Sequence, residues 1–377
     1  MSDVDSGAQR SWRQRPEFLG ALLVGTLALL LSLARVLHEP SWPTDLDQWY
    51  FAARAMLQGR NPYDAVGPAR EFKWDWPLNY PLSTVLLTMP LTVLSLPAAR
   101  VAFSTVAGGV LGYALGKDRF QRIGLVFSAA FVIAISRNQW SPFITAAYFA
   151  PMAAVFLAAK PNMALAFLAS IRSWRPLRRI AGIGLAAVAV SVMVRPSWPL
   201  EWLRALGQME YVVAPIMRPY AWMLALALLK WRRTDARIFL ALVCVPQTPS
   251  LYDLLPLFVL MRTPRDVSIL SLLTHALFLT IVVLGPFPSF DRYAYELGNV
   301  ATVVIYLPVM LMLLGRPNVS GVDSAFEPAP PPSLRAQFRA SLEQMTRFDA
   351  MLLLVNVAAV AVLLWMTLTT RRIMKNE

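Results

Sequence analysis

The sequence predicts an all-α, multi-pass integral membrane protein, and three observations carry that prediction. Hydrophobic residues make up 57% of the 377-residue chain and charged residues only 15%, where a soluble domain carries roughly 25% charged residues. The apolar residues gather in long uncharged runs, at 18–34, 76–99, 101–116, 138–159, 267–290, 297–315 and 350–370, and several approach the ~20 residues that cross a hydrocarbon core as a helix. Basic residues cluster at the ends of such runs, so the formal net charge of +13 reads as a positive-inside pattern and not as a nucleic-acid footprint. The alternation of a transmembrane β-barrel is missing from these runs, and helices satisfy their own backbone polar groups in lipid.

The first element is the run 18–34, preceded by Arg10, Arg13 and Arg15. Ser32-Leu33-Ala34 resembles a signal-peptidase site, but the length of the run and the spans that follow favour an uncleaved anchor. With the amino terminus inside, this helix delivers residues 37–80 to the outer face. Within that loop 44–59 predicts a short helix: Thr44 or Asp45 caps it, Asp47 suits its first turn, and Gly59 ends it before Asn61-Pro62. Leu46, Trp49, Ala53 and Met56 share one face and Asp47, Tyr50, Arg54 and Leu57 another, which predicts a helix lying flat on the bilayer with its apolar side down. Trp42, Trp74 and Trp76 add interfacial aromatics to the same loop.

Shorter apolar runs at 123–136, 180–194, 220–229, 238–252 and 254–261 are broken by proline or flanked by arginine and read as short, tilted or broken spans. Roughly ten to thirteen membrane segments are expected from the minimum span length. Basic clusters at 172–179, 230–237 and 262–265 mark cytoplasmic ends. A second outer loop, 195–219, carries Trp198, Glu201, Trp202, Arg204, Glu210 and Tyr211, and a third candidate is the turn 247–253.

Residues 1–315 thus form one transmembrane domain. Residues 316–349 hold the spacer Pro328-Ala329-Pro330-Pro331-Pro332 and a stripe of Leu334, Phe338, Leu342 and Met345 beside Arg335, Arg339 and Arg347. Residues 350–377 are a terminal helix and basic tail. Lys117 to Arg122 and Arg371 to Lys375 cannot both be cytoplasmic under every choice of spans, so the sequence leaves the carboxy terminus open to either side.

A single cysteine, Cys244, excludes an internal disulfide or cysteine cluster, and two histidines, His38 and His275, leave little for a histidine metal site. No metal or other cofactor is expected. His275, inside an apolar run, reads as a hydrogen-bonded packing residue ahead of a proton relay. Asp45-Leu46-Asp47 spells the carboxylate-x-carboxylate pattern that holds divalent ions, though three residues match it by chance as well. Two roles suit Asp45: helix N-cap, and general base, because partial desolvation at a membrane mouth raises a carboxylate's pKa toward a working range. Lys160, between two apolar runs, calls for a cavity or a partner, and Tyr252 and Asp253 sit at the mouth of a broken span.

The stretch Asp45-Leu46-Asp47-Gln48-Trp49-Tyr50-Phe51-Ala52-Ala53-Arg54-Ala55-Met56-Leu57-Gln58-Gly59-Arg60-Asn61-Pro62-Tyr63-Asp64, followed by Asn79-Tyr80-Pro81-Leu82, resembles the first outer loop of glycosyltransferase family 87, a GT-C group of polyprenyl-phosphate-sugar-dependent membrane enzymes. Asn138-Gln139-Trp140-Ser141-Pro142 and Lys160-Pro161-Asn162 resemble that family's Gly-Gln-x-x and Lys-Pro elements. The likeness covers the order of elements over the first half of the chain. It departs from the family at Asn138, where glycine is usual, in the short spacing from Gln139 to Lys160, at the second acid, Asp47, and in the turn at Tyr252-Asp253, which has no histidine.

The resemblance implies a GT-C-like fold and a single inverting displacement. A mannose-like sugar would pass from a polyprenyl-phosphate donor to a glycolipid or glycan acceptor at the outer side of the inner, cytoplasmic membrane. It implies Asp45 as base with Asp47 as the second candidate, and substrate contacts from Tyr50, Arg54, Arg60, Tyr63, Asn79, Tyr80, Gln139, Lys160, Tyr252 and Asp253. Arg54, Arg60, Lys73 and Arg218 are candidates to stabilise phosphate charge, against simple anchoring beside lipid phosphates. The competing functions are a transporter or flippase for a lipid-linked or polar solute, and a non-catalytic subunit of a membrane complex. Transporters need ionisable groups deep in their helices, whereas most acids here fall in outer loops.

Overall fold

The structure is a computed structural model and describes residues 15–171, 174–209, 212–247, 249–317 and 346–369. Arg10, Arg13, Glu210, Tyr211, the proline-rich run, the stripe Leu334 to Met345 and the tail Arg371 to Lys375 lie outside the described residues. The regular elements of the described chain are helices, joined by turns and loops, apart from an isolated antiparallel bridge between Val213 and Gln247 and two parallel two-residue strands in the first loop, β1 (Val66–Gly67) and β2 (Phe72–Lys73).

Among the described residues six helices are long and apolar enough to cross a membrane. They are α1 (Pro16–His38), α5 (Leu96–Lys117), most of α9 (Trp174–Val194), α12 (Pro264–Leu284), the continuous span 290–314 formed by α13 (Phe290–Ala301), a π-turn and α14 (Leu307–Leu314), and α15 (Arg347–Thr369). The other apolar runs counted toward ten to thirteen spans fold as shorter pieces. The run 76–99 divides into α4 (Leu82–Thr88), a 3-10 turn at Met89–Val93 and the start of α5. The run 138–159 divides into α7 (Ser141–Ala147) and a 3-10 turn at Pro151–Ala159, after which α8 (Pro161–Leu168) begins. Proline is the common cause: Pro90, Pro97, Pro142, Pro151 and Pro161 each occupy a first turn, where the missing N–H costs nothing and the preceding residue is pushed out of helix.

The tightest pairing is between α1 and α5, which run antiparallel. A Cβ added at Gly112 would stand 2.1 Å from the Gly20 carbonyl oxygen, and one at Gly108 would meet the Ala28 Cβ at 2.4 Å. At one end Gly116 abuts Pro16, and at the other the Ser32 hydroxyl donates to the Arg100 carbonyl at 3.4 Å. Lipid offers no hydrophobic drive for two apolar helices to associate, so close backbone packing through glycine does that work. The pairing also carries Arg100 to the end of the bundle where α2 (Asp45–Leu57) lies.

Two polar ends result. The basic end gathers Asp235 with Arg233 at 2.9 Å, Arg316 at 2.8 Å and Arg262 at 3.2 Å, while the Lys230 ammonium donates to the Arg316 carbonyl at 2.7 Å. The turn after α5 joins this end, because Gly124 faces Val267 near the start of α12. The Arg265 guanidinium lies 4.9 Å from the ring centre of Phe348, so α15 also starts here. The opposite end holds the first loop, α10 (Trp198–Leu206) and the 285–290 turn: the Trp202 indole donates to the Asn79 carbonyl at 2.8 Å, and Trp76 packs on Phe290 at 4.2 Å. All the basic clusters that the sequence analysis assigned to the cytoplasm and that are described here, Arg15 among them, fall at the first end.

One expectation is corrected. The helix α2 does not lie on a surface with one side down: Leu46 and Trp49 on one face and Asp47 and Tyr50 on the other are all buried. The supposedly outward face is claimed by protein partners, Arg100 for Asp47 and the Leu94 carbonyl, at 2.8 Å, for the Tyr50 hydroxyl. Only its last turn, with Arg54 and Leu57, is exposed.

Candidate functional site

The two acids of the first loop have separate environments. Thr44 is the N-cap of α2, with extended backbone, and Asp47 occupies the third helical position of a capping box. The Asp47 carboxylate accepts the Thr44 N–H at 3.0 Å and the Thr44 hydroxyl at 2.9 Å. It is also gripped by Arg100 through Nε at 2.9 Å and Nη2 at 2.5 Å. With 1% exposure and both oxygens doubly engaged, Asp47 is a structural anchor.

Asp45 faces the other way. Its N–H donates to the Arg137 carbonyl at 3.1 Å, and its Oδ2 accepts from the Gln139 side-chain amide. Burial pushes its carboxyl above the usual carboxylate range, opposed first by the positive charge of Arg137, then by a hydrogen bond from Tyr252 and the charge of Lys160. Because Asp45 and Asp47 turn to different partners, they do not form a shared metal clamp. Among the described residues no group of three or more His, Cys, Asp or Glu is arranged to hold a metal.

The turn that supplies Gln139 follows α6 (Ala129–Ser136) and depends on Asn138, whose φ of 55° is left-handed. Asparagine is one of the few residues besides glycine that enters this region readily, which explains physically how it stands where the resembled family has glycine. Its side-chain amide donates to the Arg100 carbonyl and the Ser104 hydroxyl, both at 2.7 Å. Arg100 and Asn138 therefore brace the two acids from beneath, over a buried packing of Trp49, Phe103 and Trp140.

Two broken elements complete the cluster. Lys160 stands at the kink between the Pro151–Ala159 turn and α8, and Tyr252 and Asp253 open the 3-10 helix Leu251–Leu260. The Lys160 ammonium pairs with Asp253 Oδ1 and lies 5.3 Å from the ring centre of Tyr252. The Ser141 hydroxyl adds a 3.3 Å hydrogen bond to the same Asp253 oxygen, while Asp253 Oδ2 is buried without a hydrogen-bond partner.

The structure thus brings Asp45, Gln139, Lys160, Tyr252 and Asp253 together from four well-separated segments. Tyr80 borders them, close enough to influence Tyr252 and in edge contact with Trp49 at 4.8 Å. The Tyr63 hydroxyl donates to the Tyr80 carbonyl at 3.2 Å, and burial pushes that hydroxyl's pKa up. Asn79 holds this border to α10 through its carbonyl, and its side-chain oxygen is buried without a partner.

Three expected contacts are not drawn in. Tyr50 is turned to Leu94, Arg54 is exposed at 6.0 Å from the Tyr50 ring centre, and Arg60 is exposed and paired with Glu71 and Gln58. Lys73 is also exposed. The His275 Nε2–H donates a 2.8 Å hydrogen bond to the Phe127 carbonyl, in keeping with its packing role.

Sequence reasoning passed over Arg100 and Arg137. A signal for Arg100 was present: it is a single cation between two long uncharged runs, and such a residue needs a buried partner. Arg137 carries no comparable mark, since its role arises from where the α6 turn meets α2.

The fold and site define a helical membrane protein with a desolvated carboxylate and a buried lysine–aspartate pair near one end of its bundle. Comparison with protein-family models, with curated proteins and with solved structures returned no match.

Proposed function

We propose that the chain is a membrane glycosyltransferase of the GT-C kind. It moves a mannose-like sugar from a polyprenyl-phosphate donor to a glycolipid or glycan hydroxyl at the outer face of the cytoplasmic membrane. The observation that carries this reading is the environment of Asp45: buried, proton-affine beyond an ordinary carboxylate, and held by Gln139 beside Lys160, Tyr252 and Asp253. Of these, Asp45, Gln139 and Lys160 also fall in the stretches that carry the family resemblance in the sequence. The positive-inside bias supports placing the basic end in the cytoplasm and the site outside.

In the reaction, Asp45 takes the proton of the acceptor hydroxyl as its oxygen attacks the anomeric carbon. The bond from that carbon to the phosphate oxygen breaks, the phosphate leaves with the electron pair, and the anomeric configuration inverts. Incubating the purified protein in lipid with radiolabelled polyprenyl-phosphate sugars and membrane extracts tests the reading. Transfer that depends on Asp45 is the expected result, and no transfer from any donor would end the proposal.

One observation favours a second reading, a transporter for a lipid-linked solute: the Lys160–Asp253 pair is buried between broken helices, as coupling sites are. Counterflow of a labelled lipid-linked sugar across proteoliposomes without covalent transfer would select it.

A further inference from the structure

Beside the Asp45 cluster lies a cleft that shares Asp253 with it, and its most telling member is Arg218. That side chain is 7% exposed, and among the described residues its guanidinium donates to neutral acceptors only: the Tyr295 carbonyl at 3.1 Å and the Asn299 side-chain oxygen at 3.5 Å. Among the described residues, the other charges near the cleft have opposites. Lys160 pairs with Asp253, and Arg137 stands against Asp45. Among the described residues Arg218 thus has no counter-charge although it is 7% exposed, which is costly unless an anion joins it.

The surroundings describe that ligand further. Gln247 and Asp253 line the cleft and are 3% exposed, and each keeps one buried acceptor oxygen, Oε1 and Oδ2, with no hydrogen-bond partner. Orphan acceptors in a buried site call for donors. The lining also includes apolar side chains, Leu277 of α12 and Leu297 and Ala301 of α13, from two helices of the membrane-spanning set. Gly298 makes the geometry available, since any Cβ there would fall 2.0 Å from the central carbon of the Arg218 guanidinium.

We propose that this cleft binds a membrane lipid phosphodiester with a hydroxyl-bearing head. Arg218 takes the phosphate, Gln247 and Asp253 take head-group hydroxyls, and the hydrocarbon lies along α12 and α13. A phosphodiester carries one negative charge, which matches the one uncompensated cation, and guanidinium is the group best shaped to hold two of its oxygens. That the lipid is a prenyl rather than a glycerol ester rests on the function proposed above; the site itself does not.

The test is equilibrium binding to the full-length protein in phosphatidylcholine nanodiscs, with radiolabelled farnesyl mannosyl phosphate as probe and farnesyl methyl phosphate, phosphatidylinositol and inorganic phosphate as competitors. Arg218→Gln is expected to weaken both farnesyl esters at least tenfold and Arg218→Lys by only a few-fold. Gly298→Ala, which leaves the arginine in the chain but displaces it, should act like Arg218→Gln. Gln247→Leu should weaken the mannosyl ester and spare the methyl ester.

Unchanged affinity in folded Arg218→Gln and Gly298→Ala would overturn the proposal, as would competition by inorganic phosphate equal to that of the esters. Equal competition by phosphatidylinositol would support the site while removing the prenyl donor from it. Transfer activity without Arg218-dependent binding would leave the enzyme and sink the cleft.

Discussion

At the scale of single residues, Asp45 and Asp47 make opposite predictions despite standing two positions apart. Burial holds the Asp45 carboxyl above its ordinary pKa, so the folded state is disfavoured as pH rises from the unfolded value through the raised one. Asn at this position stays neutral, keeps an acceptor for Gln139 and avoids that cost. Asp45→Asn is therefore expected to match or exceed wild type in thermal stability at neutral pH, while sugar transfer falls by roughly a hundredfold or more, the usual contribution of a positioned base. Asp47→Asn removes one charge from a buried bidentate pair and should cost about 3–5 kcal/mol, seen as a lowered melting temperature, with the rate per folded molecule largely kept. The reverse assignment of rate and stability would show that Asp47 is the base. The pH profile supplies an independent check: a base must be ionised, so transfer should rise with pH through a limb lying above the normal carboxylate range. Arg137 is the strongest influence holding that pKa down, so Arg137→Gln should move the limb to higher pH. The sequence alone named both acids and left the choice open, because a capping carboxylate and a catalytic one share the same start-of-helix pattern. What sets their environments apart is Arg100, which pairs with Asp47 from a helix far along the chain.

At the scale of elements, proline and glycine explain most of what was legible and most of what was not. Uncharged runs located five of the six long helices described, since length and hydropathy are properties of one segment, whereas the run 180–194 read as a short span and is part of the long α9. Their subdivision depended on proline positions that a run-length reading passes over, as at Pro90 and Pro151. The burial of α2 was not readable at all: its periodic stripes fit a surface helix, and only contacts with Arg100 and Leu94 reveal that both faces are covered. The α1–α5 pair was readable in principle from Gly108, Gly112 and Gly116 at four-residue spacing, the pattern that lets membrane helices touch. Gly112→Leu should separate these helices and tilt Arg100 away from Asp47, giving a poorly expressed or thermolabile protein, whereas Gly182→Leu, where an added side chain meets open space, should be tolerated. Equal stability of the two variants in detergent would show that the close approach is unimportant. For α15, described contacts are with the flank of the bundle, such as the Asn356 amide to the Ser268 carbonyl at 3.2 Å, and it supplies no residue of the site. A chain ended after Pro317 should insert and retain transfer, and insertion without transfer would mean that the terminal helix shapes the site from a distance.

At the scale of the whole molecule, the sidedness of the bundle ties the chemistry to a compartment. The lysine and arginine clusters between Lys117 and Arg122, around Lys230 to Arg237 and at Arg262 to Arg265 converge on one end, while Asp45 and the aromatic first loop occupy the other. In the function proposed above, a lipid-linked donor places its head at the second end, and the positive-inside bias supports an external position for that end. Two single-cysteine proteins test the arrangement in a Cys244→Ser background, required because the native cysteine is itself exposed. Gln58 is exposed just after α2, and Lys117 is exposed at the far end of α5. In intact spheroplasts an impermeant thiol reagent should label Gln58→Cys at once and Lys117→Cys only after the membrane is opened, because α5 spans the hydrocarbon between the two ends. Labelling in the opposite order would place Asp45 in the cytoplasm, where an outward-facing transferase could not use it. Labelling of both sites in intact cells would mean that α5 does not span, and the six-helix reading of the bundle would have to be rebuilt from the α1–α5 hairpin outward.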